Sequence, residues 1–83
     1  MKTIKDQINT IVEFKAITLS ELSKEHDILR ERLVEGLDKM KAANVYSKEE
    51  IEEIRMYMYQ VLNERYTNTR TDVVNKLRAE FTF

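Results

Sequence analysis

Apolar positions recur in steps of three and four along most of the chain, a period that predicts helices throughout. The clearest run covers residues 18–43. There Leu19, Leu22, His26, Leu29, Leu33, Gly36 and Met40 follow one another at that spacing. All seven fall on one face of a helix, so a long central helix over about 18–43 is expected to carry the seam of the fold. Before it, Ile4, Ile8, Ile11 and Val12 share a face and predict a short first helix over 2–16, with Phe14 and Ile17 near its exit. Isoleucine is a middling helix former, so this helix is expected to depend on tertiary contact. After the central run, Ile51, Ile54, Met58, Val61 and Leu62 predict a third helix over 48–66. Val73, Val74, Leu77 and Phe81 predict a last one over 72–81.

Boundary residues sharpen this outline. Thr18-Leu19-Ser20-Glu21 fits a capping box at the start of the central helix. The alternative is a first helix that runs straight through Thr18, because nothing between Phe14 and Thr18 breaks a helix. Lys39 and Lys41 complement the dipole at the far end, and Asn44 suits a left-handed cap. Ser47-Lys48-Glu49-Glu50 is the clearest cap in the chain, with Glu49, Glu50, Glu52 and Glu53 crowding the positive end of the next helix. Tyr46 is placed to staple onto Ile51. The polar stretch Thr67-Asn68-Thr69-Arg70-Thr71 reads either as a turn, with Thr69 or Thr71 as a new cap, or as a weak point in a continuous helix. The expected fold is therefore all-α: a three- or four-helix bundle in a single domain over 1–83, with a long central helix and an antiparallel helical hairpin turning at about 44–47.

Composition narrows the class. A chain of 83 residues with one Gly and no Pro has few tight turns available, which argues against a multi-stranded β fold. A core of this size is marginal, and the stripes on helices two and three are wide, so a homodimer is expected. Charged residues reach 35% but sum to a net −1, which is a mixed surface and not a polyelectrolyte. No Cys is present, which excludes disulfides, thiolate catalysis and cysteine–zinc sites. Asp6, Gln7, Asn9 and Glu13 interrupt the would-be apolar region of a signal peptide, and a cytoplasmic location is expected.

Candidate chemistry is sparse. One His, no Cys and no Gly-rich phosphate loop leave no catalytic set, so no enzyme and no cofactor are expected. His26 reads as a core-edge residue or, more sharply, as a register-setting or pH-sensing position in the seam formed with Leu19, Leu22, Leu29, Leu33 and Met40. Residues 19–37 can also be laid on a helix-turn-helix template, with Asp27 in the turn and Arg30, Glu31 and Arg32 opening a recognition helix. Against that, six Lys or Arg face ten Asp or Glu between Glu21 and Glu53, a net of −4 that repels phosphate. A second basic candidate is Arg65, Arg70, Lys76 and Arg78, interleaved with hydroxyl and amide side chains. Met56-Tyr57-Met58-Tyr59 places thioethers and rings on successive positions that cannot all face one core. Met56, Tyr57 and Tyr59, with Phe81 and Phe83, are therefore the candidate surface for another protein. The expected function is a small regulatory or adaptor protein acting as a homodimer. The alternative is a dimeric nucleic-acid-binding regulator.

Overall fold

In the computed structural model, which describes residues 3–80, three helices and no strand occur among the described residues. They are α1 (Ile4–Ile11), α2 (Leu19–Ala43) and α3 (Lys48–Glu80). The α2–α3 pair forms an antiparallel hairpin, and α1 lies across it, touching both. At about 1.5 Å per residue the 33 residues of α3 span roughly 50 Å. That length sets the 57 Å long dimension of the molecule, against 22 and 17 Å across.

Each helix start is built from side chains that satisfy free backbone amides. Thr3 and Asp6 form a reciprocal capping box on α1. Ser47 and Glu50 form the same box on α3, each bond 3.1 Å long. At α2 the Thr18 hydroxyl accepts from the Glu21 amide, but the Glu21 carboxylate reaches one residue further back, to the amide of Ile17. Glu25 accepts from the Lys15 amide at 2.8 Å. These two glutamates, like-charge neighbours four apart, thus serve the connector before the helix. They also show why the first helix is shorter than the expected 2–16. Lys15 and Ile17 find side-chain acceptors on α2, so their amides need no intrahelical partner, and the β-branched Ile11 and Val12 favour a helix weakly. Asn44 takes the left-handed conformation, at φ 55° and ψ 30°, and ends α2.

Of the two readings of 67–71, the continuous helix is the one that forms, so the expected helices over 48–66 and 72–81 are one. The helix passes through this stretch, and the Thr71 hydroxyl bonds back to the Thr67 carbonyl at 3.0 Å instead of capping forward. Buried Val73 anchors the segment beyond it. No turn occurs at Asp27 either: α2 is one helix from Leu19 to Ala43, so residues 19–37 are not a helix-turn-helix.

The core joins Ile8 and Val12 to Leu29, Leu33 and Leu37 of α2 and to Met58, Val61 and Leu62 of α3. The buried line on α2 departs from the expected seam at both ends. Leu19 is 40% exposed, and Leu37 is buried where Gly36 was expected to lie on the seam. The reason is the 3.6-residue turn. A strict alternation of three and four drifts around a straight helix, and an added step of four, from Leu33 to Leu37, restores the line. Gly36 is not a point of close approach, since beyond the helix's own adjacent backbone no atom lies within 4 Å of the position a Cβ would take.

Candidate functional site

The two broad sides of the hairpin differ. On one side sits α1 with its connector. Asn9 Nδ2 donates to the Tyr57 hydroxyl at 2.9 Å, and Lys5 Nζ lies 5.1 Å from the centre of the same ring. Lys5 also stands 3.9 Å from Glu53. At the connector, Phe14, His26 and Tyr66 form a three-ring cluster, one ring from each of the three parts of the fold. His26 and Tyr66 meet edge-on at 4.7 Å, Phe14 and Tyr66 at 6.0 Å, and Phe14 stacks parallel to His26 at 6.4 Å. His26 is half-buried there, with Asp27 Oδ1 at 3.7 Å from its Nδ1. Tyr57 is therefore occupied in holding α1, and His26 in holding the connector.

On the other side nothing covers the hairpin among the described residues. Leu33, Val34 and Leu37 of α2 and Met58, Tyr59 and Leu62 of α3 line a narrow apolar groove with room for only about 10 Å³, its floor of Leu33, Leu37, Met58 and Leu62 buried between the helices and Arg30 and Arg55 at its two rims. Val34 and Tyr59 stand 40% and 41% exposed at the same level of the hairpin. Arg55 donates from Nε to Glu52 at 3.1 Å and from Nη2 to the other carboxylate oxygen, a bidentate pair one turn from the groove. That bond, aided by the charges of Arg55 and Lys41 and opposed by partial desolvation, holds Glu52 below the ordinary carboxylate range; it also holds Arg55 above its own. The Arg55 guanidinium lies 6.0 Å from the Tyr59 ring.

The residues expected to bind a partner separate accordingly. Tyr57 and Tyr59 are about 160° apart on the helix; Tyr59 faces the open groove and Tyr57 faces α1. Met56 is 64% exposed. Phe81 and Phe83 lie outside the described residues. Of the seam positions, Leu22, Leu29 and Leu33 are buried, His26 and Met40 half-buried, and Leu19 exposed. The cations of the nucleic-acid reading are all exposed but do not converge. At about 100° per residue, Arg65 and Lys76 share one line along α3, with Asp72 beside it, while Arg70 and Arg78 point more than about 100° away. Arg30 and Arg32 sit on opposite flanks of α2, Arg30 at the open groove and Arg32 on the α1 side. Val34, Leu37 and Arg55 are the groove residues that sequence reasoning missed. The available signal was Val34, an apolar residue one position off the seam, lying between Arg30 and Asp38.

No helix among the described residues is long and apolar enough to cross a membrane. No protein-family model, curated protein or solved structure matches the chain.

Proposed function

We propose that this chain is a small, non-enzymatic regulatory or adaptor module of the cytoplasm that acts by binding protein through the open α2–α3 groove. The observation that carries this reading is the pairing of Val34 and Tyr59, two large side chains left exposed at one level over an apolar floor of Leu33, Leu37, Met58 and Leu62. An exposed aliphatic and aromatic pair flanked by arginines has the residue types enriched in protein interfaces. A Val34→Glu/Tyr59→Ala variant is expected to keep its far-ultraviolet circular dichroism and to lose the proteins recovered with the wild-type chain from the cells that produce it. An Ile28→Glu variant, altered on another flank of α2 where Ile28 is 56% exposed, is expected to retain them. Equal recovery by the groove variant and the wild type refutes the reading.

A further inference from the structure

We propose that the groove is filled by a second copy of this chain, docked so that α2 packs antiparallel on α2 of the partner about a two-fold axis through Val34. This rests on the reading of the groove as a protein interface and names its occupant. A charge pattern on the rim points to this occupant. Asp27, Arg30, Val34, Asp38 and Lys41 form one stripe along α2, in steps of three, four, four and three. Asp27, Arg30 and Val34 line a common hollow on that flank together with Glu31, which lies beside the stripe and would face the partner's Leu37, and all five stripe residues are exposed. The spacing is symmetric about Val34 and the charges are antisymmetric: negative, positive, neutral, negative, positive.

A two-fold axis perpendicular to α2 at Val34 brings each residue opposite the one equally far on the other side. Arg30 then faces the partner's Asp38, and Asp27 faces the partner's Lys41. By symmetry each pair occurs twice, giving four opposite-charge pairings and no like-charge one along the stripe. A parallel arrangement in register would instead set every charge against its own copy. None of the ion pairs among the described residues uses Arg30, Asp38 or Lys41, whereas Asp27 lies 3.7 Å from His26 and Lys41 acts on Glu52 through its charge alone. Tyr59 lies level with Val34, so the same axis sets Tyr59 near its own copy and Arg55 opposite the partner's Asn63, with no repulsion. The interface between the two hairpins would cover Val34 and Tyr59, which stand exposed above the already buried Leu33, Leu37, Met58 and Leu62.

The chain has no cysteine, which makes the axis directly testable. In Val34→Cys the only two thiols of a dimer meet at the axis, and a short bismaleimide is expected to give a cross-linked dimer. Ile28→Cys, off the stripe, is expected to give none. By sedimentation velocity, Arg30→Asp or Asp38→Arg alone is expected to raise the dimer Kd by about tenfold, because each reversed charge enters the interface twice. Combining the two restores the pairing and the Kd. A wild-type chain that stays monomeric at high concentration overturns the proposal, and so does a double reversal weaker than either single one. Capture of other proteins that is lost in Val34→Glu/Tyr59→Ala while the wild type remains monomeric overturns the second copy but leaves the interface reading standing. If neither self-association nor capture depends on Val34 and Tyr59, both fall.

Discussion

Replacing Gly36 by Ala is expected to stabilise the protein. Gly36 lies well inside α2, at a helical φ, where a glycine costs about 1 kcal/mol relative to alanine because it gives up more backbone freedom on folding. Two effects commonly cancel that gain, a clash of the new methyl and a backbone that L-residues avoid. Neither applies, since beyond the helix's own adjacent backbone nothing lies within 4 Å of the added carbon and no glycine has a positive φ. The methyl points into the open hollow lined by Ile4, Ile8 and Met40, so the gain comes from the backbone and not from new contacts. A gain near 1 kcal/mol is large beside the roughly 4–12 kcal/mol that a chain of this length holds. It should raise Tm by about 4–8 °C. Thermal and urea unfolding followed by circular dichroism measure it, with the urea m value unchanged. Gly36 is on the flank away from Val34, so the dependence of Tm on protein concentration should match that of the wild type. A Tm that is unchanged or lower refutes the reasoning and would mean that another surface closes against Gly36.

Three further outcomes follow from the packing and the caps. Leu62→Ala empties a 2%-exposed position in the centre of the core and should cost about 2–5 kcal/mol in urea unfolding, whereas a cost below about 1 kcal/mol would place Leu62 outside it. Ser47→Ala removes the hydroxyl that accepts from the Glu50 amide and should cost about 0.5–2 kcal/mol; an unaltered midpoint would show that the box does not hold the start of α3. Glu52, bonded by Arg55, should titrate below the ordinary glutamate value of about 4.3 in an NMR titration and return to it in Arg55→Gln. Its folded value lies below its unfolded one, so its contribution to stability is present above about pH 4.3 and disappears as pH falls through the folded value. A Glu52 that titrates normally in the wild type would remove that contribution.

What the sequence determined by itself is local. Helix content follows from apolar period, the α2–α3 turn from Asn44 and from the Ser47–Glu50 box, and the main core from Ile8, Val12, Leu29, Leu33, Met58, Val61 and Leu62. These features depend on residues a few positions apart, whose spacing is visible in one dimension. Where neighbours from other elements supplied a partner, local propensity misled. Lys15 and Ile17 bond to α2 glutamates and end α1 early; along α3 the helix runs on through 67–71, where buried Val73 anchors it from beyond. The candidate site shows the same division. Tyr59 was legible as surplus aromatic surface, but only the placement of α1 over Tyr57 decided which ring stayed uncovered. Val34 and Arg55 came to one groove because two helices 25 and 33 residues long pack side by side, and that pairing is a property of the fold and not of either segment alone.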